Sequence, residues 1–335
     1  MTYSPELTLI WAGLIAFAVF AYVALDGFDL GVGILFPLLG SDRSRDTAMN
    51  SVAPVWDGNE TWLILGGGGL FAAFPLAYAI LMPAVYAPLI AMLLGLVFRG
   101  VAFEYRWRTV RARWAWDVAF SGGSALAAVS QGVILGAILQ GVKVAGRGYG
   151  GGWWDWLTPF SLLTGASVAA GYALLGSTWL ILKTRDDLLE RAFRLAWIFG
   201  AATVAAIAAV SAATPFLKAE YWRRWLAFPN VLATAQVPLL VAITAGALVL
   251  ALRRRNETWP FPLALALFAL GYAGLGVSFY PDIVPGQISL WRASAPAASL
   301  AFMLVGAGVL IPVILGYTGY AYWVFRGKTA SEGFH

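Results

Sequence analysis

Long apolar runs separated by short polar segments recur from one end of the chain to the other. They fall near residues 8–38, 52–75, 78–101, 117–140, 158–182, 195–214, 230–252, 260–280 and 298–325. Each reaches the ~20 residues that an α-helix needs to cross a hydrocarbon core. None sustains the period-two alternation of a lipid-facing strand. The pattern predicts an all-α polytopic membrane protein with about nine transmembrane helices, arranged as two four-helix bundles plus one peripheral helix. Helix count, rather than any internal repeat, divides it into a bundle over 1–182 that carries the acidic motifs and a second over 183–335. The segment Asp26-Gly27-Phe28-Asp29 interrupts the first run and leaves its boundary with the second the least defined.

Basic residues between the runs set a direction. Arg43 and Arg45, Arg106 to Arg113, Lys183 to Arg194, Arg253 to Arg255, and Arg326 with Lys328 all fall on alternate connections, fifteen in total. The opposite side carries six: Lys143, Arg147, Lys218, Arg223, Arg224 and Arg292. Positive charge accumulates on cytoplasmic loops, so the N-terminus is expected outside and the C-terminus in the cytoplasm. The first run lacks a basic flank before it, which favours a retained helix over a cleaved signal. The net charge of +5 therefore reflects orientation and contact with anionic lipid, with no call for nucleic acid.

Composition sharpens this picture. Of 335 residues, 60% are hydrophobic and 12% charged, against ~25% charged in soluble domains. The 16 tryptophans and 13 tyrosines suit the membrane–water boundary. Cysteine is absent, and His335, the last residue, is the single histidine. No thiolate metal site, iron–sulfur cluster or intramembrane histidine ligand for haem can be built from this chain. Met49, Met82, Met92 and Met303 read as packing residues.

The remaining chemistry lies in a few ionisable groups of the first three runs. Asp26 and Asp29 are spaced i, i+3, as are Asp57 and Glu60 within Trp56-Asp57-Gly58-Asn59-Glu60-Thr61-Trp62; that spacing places each pair on one helix face. Arg99 stands near the inner end of the third run. With the second run starting inside near residue 52, Asp57 and Glu60 are expected roughly 8–12 Å into the helix at 1.5 Å per residue. Four acids and one arginine are thus expected to converge at one depth. Intramembrane charges cost at least ~2.5–3.5 kcal/mol each, so they are paired, protonated or wet. Three readings stand: an interhelical polar clamp, a proton route from the cytoplasm, or a site for a cation or polar substrate. Gln131, Gln140, Asn230 and Gln236 read as helix–helix hydrogen bonds, and Gly66 to Gly69 as a close-packing surface.

The stretch Leu25-Asp26-Gly27-Phe28-Asp29-Leu30-Gly31-Val32-Gly33 resembles the signature near the start of cytochrome bd-type quinol oxidase subunit II, a family that includes the cyanide-insensitive oxidases. Residues 50–62, Gly69 to Pro75, Phe98 to Arg106 and the C-terminal Tyr317 to Phe325 are similar to the family's later motifs, in order. The resemblance implies a haem-free subunit II in a bacterial inner membrane. It would pair as a heterodimer with a haem-bearing subunit I that oxidises quinol and reduces dioxygen to water. The haems, two b-type plus a d or third b, would sit in that partner. A structural quinone in this subunit, and a small accessory subunit, occur within what it implies. It further implies that subunit II helps carry protons from the cytoplasm. On the matching positions Asp57 comes first and Asp26 second, with Asp29, Glu60, Arg99 and Trp56 as polar support. Glu60 departs from the family's frequent glutamine. A proton-coupled secondary transporter and a lipid-binding scaffold are the competing classes.

Overall fold

The structure is a computed structural model that describes residues 4–329, so His335 lies outside the described residues. Among the described residues, eight helices are long and apolar enough to cross a membrane. They are α1 (Pro5–Leu35, extended by a 3-10 turn to Leu38), α5 (Tyr86–Arg108), α6 (Arg113–Gln140) and α7 (Pro159–Lys183). The other four are α8 (Asp186–Ala213), α11 (Gln236–Arg253), α12 (Pro260–Phe279) and α14 (Ala297–Val324). A ninth long helix, α3 (Trp56–Ala73), has 18 residues but carries Asp57, Asn59 and Glu60 in its first two turns. The expected all-α membrane architecture is what the chain forms.

Local chemistry sets the helix ends. Ser4 caps α1 by accepting from the Leu7 amide, and Pro5 occupies the first turn, where no amide donor is needed. Thr158 and Ser161 close a reciprocal capping box on α7. α1 runs without a break through Asp26-Gly27-Phe28-Asp29, so the polar segment is a patch on a continuous helix.

Two boundaries differ from the hydropathy reading, and prolines explain both. Residues 42–52 form a separate helix, α2 (Asp42–Val52), half polar and half buried, and Pro54 lies in the turn before α3. The third run is split. Pro75 forces Phe74 out of helical geometry (φ −131°, ψ 61°) and starts the short α4 (Pro75–Ala84), and α5 begins only at Tyr86. α8 begins nine residues before the predicted span, because the acidic pair Asp186 and Asp187 sits in its first turn, where the helix dipole favours it.

α7 packs on α6, α8 and α1, while α3 lies along α1 and α5 along α6. α14 touches α1 and α3 only lightly and is the least covered of the long helices. At one end, α4 meets two small hairpins, β1 (Val144–Ala145) with β2 (Gly148–Tyr149) and β3 (Asp282–Val284) with β4 (Ile288–Ser289). The helical turn α13 (Leu290–Ala293) joins them, and the Lys218 ammonium, just before α9 (Ala219–Trp225), donates to the Pro285 carbonyl. Together these short elements cover the helix ends on that side.

Glycines let the central helices touch backbone to backbone. Gly95 on α5 and Gly123 on α6 face each other: a Cβ on Gly123 would lie 2.5 Å from the Gly95 carbonyl oxygen and 3.0 Å from the Arg99 amide nitrogen. Gly31 on α1 and Gly176 on α7 meet the same way. Such small-residue crossings replace the hydrophobic drive that is missing between helices in lipid. Of Gly66 to Gly69, Gly66 and Gly69 pack on Val19 and Ile15 of α1, whereas Gly67 and Gly68 meet nothing within 4 Å. Gly123→Ala should therefore lower the thermal stability of the purified protein by about 1–3 kcal/mol, the usual cost of overpacking. Gly122→Ala, next to it and facing open space, should leave the melting temperature unchanged.

Candidate functional site

The site grows from one side chain. Arg99 of α5 is fully buried and projects toward α1 and α3. Its Nη1 donates to Glu60 Oε1 at 2.7 Å and lies 3.4 Å from Asp26 Oδ1, while Nη2 is 3.9 Å from Asp29 Oδ2. Asp26 and Asp29 are also fully buried, and Glu60 keeps partial exposure, with 24% of its side chain accessible. One cation therefore faces three carboxyl groups in a medium where bare charge is costly.

Neutral donors complete the surroundings. Asn59 Nδ2 donates to Asp29 Oδ2 at 2.7 Å and to the Leu25 carbonyl at 3.2 Å. Tyr322, from α14, donates to Asn59 Oδ1 at 3.0 Å. On the other flank, Tyr22 stands one turn from Asp26 and accepts from Gln131 Nε2 at 2.8 Å. Gln131 in turn accepts from the buried Tyr172 hydroxyl at 2.6 Å. Gln131 thus joins α6 to α1 and α7, as its sequence reading expects. Among the described residues, Asp29 Oδ1 and Nε and Nη2 of Arg99 have no hydrogen-bond partner, while Asp26 is faced by Arg99 and by the Tyr22 hydroxyl.

Aromatic rings line the guanidinium. Trp56 and Phe103 stack at 4.9 Å and lie 5.9 and 5.5 Å from the Arg99 carbon. Phe103 meets Phe120, which meets Phe36, each edge to face near 5 Å. Beyond this layer is a second ionic group. Arg106, two helical turns from Arg99 on α5 and also fully buried, bonds Asp46 at 2.7 Å and Asp117 at 2.5 Å. Arg113 also reaches Asp46, and Arg45 bridges Asp117 and Asp42. Arg106 and Arg113 are therefore committed to acids of α2 and α6, which corrects their reading as lipid-contacting charges.

The structure brings together four of the five predicted charges. Asp57 is the exception: it is exposed, and among the described residues no ion pair joins it to a cation, so it stands beside Glu60 on α3 but outside the Arg99 contact. The physical reason is the late start of α3. Asp57 occupies its first turn, about 1.5 Å along the axis, and Glu60 follows at about 6 Å; neither reaches the expected 8–12 Å. Arg99 lies nine residues before the end of α5 rather than at the inner end of a span. Sequence reasoning passed over Asn59, Tyr22, Tyr172 and Tyr322, although Asn59 and Tyr322 fall inside the motifs it singled out.

Among the described residues no three His, Cys, Asp or Glu side chains are grouped to hold a metal ion. Met49 and Met92 are packed in the apolar core.

Comparison with known proteins places this geometry. The family described as cytochrome bd terminal oxidase subunit II matches residues 7–325. The chain is 31% identical to cytochrome bd-I ubiquinol oxidase subunit 2 of Escherichia coli K12, covering 97% of this chain and 96% of that protein. It is 28% identical to cytochrome bd ubiquinol oxidase subunit 2 of Bacillus subtilis, covering 96% and 97%. A solved bd oxidase structure from Geobacillus thermodenitrificans superposes with a TM-score of 0.71 over 96% of this chain and 99% of that one; at 16% identity it speaks to fold alone.

Removing Arg99 should unbalance the cluster. Arg99→Leu is expected to destabilise the protein by about 3–5 kcal/mol, the cost of breaking a buried ion pair. Glu60→Gln, which keeps an acceptor for Arg99, should cost far less. Thermal unfolding in detergent reads both.

Proposed function

The chain belongs to the cytochrome bd terminal oxidase subunit II family, and from that premise we propose that it delivers cytoplasmic protons to an oxygen-reducing partner. It is a multi-pass membrane subunit of an oxidoreductase complex, and membership implies a subunit I beside it. In the proposed reaction the partner carries the haems, takes electrons from quinol and reduces dioxygen to water. Reduction consumes protons. Drawing them from the cytoplasm while quinol releases its own outside separates charge without a pump.

The observation that carries this reading is the graded exposure of three acids. Asp57 is exposed at the start of α3, Glu60 is half-buried one turn on, and Asp26 is sealed behind it, with Arg99 contacting both Glu60 and Asp26. Asp57 is the entry group in this reading. Glu60 passes the proton inward or along the subunit boundary, and Arg99 holds the carboxyls close without letting the cluster become a bare multiple anion. Asp29, fixed by Asn59, and Trp56, over the guanidinium, are positioning residues.

An exposed carboxylate on a membrane helix calls for cover, and the same face of α3 presents Ile64, Gly67, Gly68 and Phe71. Small residues with open space are what a close-packed partner helix needs. This face of α3 is the proposed seat of subunit I, with the N-terminus of the chain outside and its C-terminus in the cytoplasm. A structural quinone and a small accessory subunit fit the same assembly. The transporter alternative gains no support from the second half of the chain, where no carboxylate is buried among the described residues.

Asp57→Asn should slow quinol-driven oxygen uptake by about tenfold or more, given that a positioned proton-transfer group contributes 10²–10⁴-fold. Haem absorbance and subunit stoichiometry should stay at wild-type levels. Unchanged turnover would remove Asp57 from the route, and loss of haem would make it structural.

A further inference from the structure

α12 and α14 both flank α1, and a cleft lies between them near the end where α7 finishes at Lys183 and Arg326 follows α14. The cleft between them has a volume of about 360 Å³, within the ~300–1,000 Å³ range of ligand pockets. Its walls are mostly apolar. Phe28 forms the floor, Trp179 stacks on it at 4.1 Å, and Phe261 and Tyr322 stand edge-on to both. Two cations, Lys183 and Arg326, line the same cleft.

Among the described residues those cations have no counter-charge. Lys183, almost fully buried, donates to the carbonyls of Phe325 and Gly327 and lies over the Trp179 ring. Arg326 donates to the Trp323 carbonyl. Among the described residues no carboxylate pairs with either. Their neighbour Lys328 differs: it bonds Glu257 at 2.7 Å along with the Ile181 and Thr184 carbonyls. Of the arginine clusters, Arg106 and Arg113 pair with aspartates and Arg255 with Glu190. Two cations that meet no carboxylate among the described residues, beside an aromatic cleft, match an amphiphile with an anionic head. Basic pockets between transmembrane helices at the cytoplasmic face bind such headgroups.

We propose that this cleft binds an anionic phospholipid, with its phosphate at Lys183 and Arg326 and an acyl chain along the aromatic floor between α12 and α14. The lipid fastens α14, whose own packing is slight, to the rest of the bundle. Through the bonds from Tyr322 to Asn59 and from Asn59 to Asp29, it also steadies one flank of the Arg99 cluster. This site requires only that the chain is embedded in a membrane, and it stands apart from the proton route.

The test uses the intact two-subunit complex in nanodiscs of phosphatidylcholine doped with phosphatidylglycerol, with retained lipid counted by native mass spectrometry. Wild type should hold phosphatidylglycerol in preference to phosphatidylcholine. Arg326→Gln should weaken that retention about fivefold, the factor that ~1 kcal/mol per basic residue corresponds to. Leu265→Trp, which fills the cleft without changing charge, should displace the lipid. Lys328→Gln, which loosens the C-terminal segment while sparing both cleft cations, should retain it. Equal retention in wild type, Arg326→Gln and Leu265→Trp would overturn the proposal. So would equal binding of phosphatidylcholine, a neutral quinone in place of phospholipid, or a cleft that holds no lipid because the partner subunit fills it. Oxygen uptake by Asp57→Asn is read separately, so failure of one idea leaves the other intact.

Discussion

A guanidinium with no exposure, inside a bundle whose outer surface is hydrocarbon, is the constraint on which this structure depends. Arg99 cannot lose its charge, so acids must be brought to it, and they come from two other helices. That requirement fixes the rotation of α1 and α3 about their axes. It also needs α5 held firmly from behind, which the Gly95–Gly123 contact with α6 provides right at the Arg99 backbone. The glycines and the ion cluster are two halves of one arrangement: close backbone approach sets the helix spacing, and the charges set the register.

Much of this was legible in the sequence. Long apolar runs gave the helical membrane class, and the i, i+3 spacing of Asp26 and Asp29 correctly put both on the Arg99 side of a helix. Where the reading failed, local backbone chemistry had overridden hydropathy. Pro54 and Pro75 break apolar or mixed runs at points a hydropathy window blurs, so α3 starts later and α5 begins further along than the runs suggest. Asp57 then falls in a first turn, where a side chain has room to swing outward. The partners Tyr322 and Tyr22 were hard to single out for another reason. A tyrosine in an apolar run reads as an interfacial ring, and only tertiary contact shows its hydroxyl turned to an amide of another helix.

The second buried arginine gives the cluster its isolation. Arg106 is two turns from Arg99 on the same face of α5, yet its acids belong to α2 and α6. Between the two groups lie Phe36, Phe103 and Phe120, packed edge to face. These rings separate the two ionic groups along α5. Any exchange with the Arg99 cluster has its readiest access at Glu60, the one carboxyl of the four-residue group with surface left. Electrostatic layers separated by an aromatic sheet thus make the outer face of α3 the relevant one, independently of what covers it.

That conclusion bears on why a subunit with no cysteine, and a single histidine at its last position, should carry so particular an interior. The groups at its centre are carboxyl, amide, phenol and guanidinium. Such groups are useful to a redox partner only if their geometry survives in lipid, and the weak point is α14. This helix contributes Tyr322 to the Asn59 bond, yet it has little packing of its own. Its last residues are tied to the end of α7 by reciprocal bonds: Lys183 to the Phe325 and Gly327 carbonyls, Lys328 to those of Ile181 and Thr184, and the Thr329 amide to the Lys183 carbonyl. The C-terminal motif is therefore part of the same construction as the acidic motifs at the other end of the sequence. A distant tyrosine fixes an asparagine, the asparagine fixes Asp29, and the aspartate faces the arginine around which the bundle is arranged.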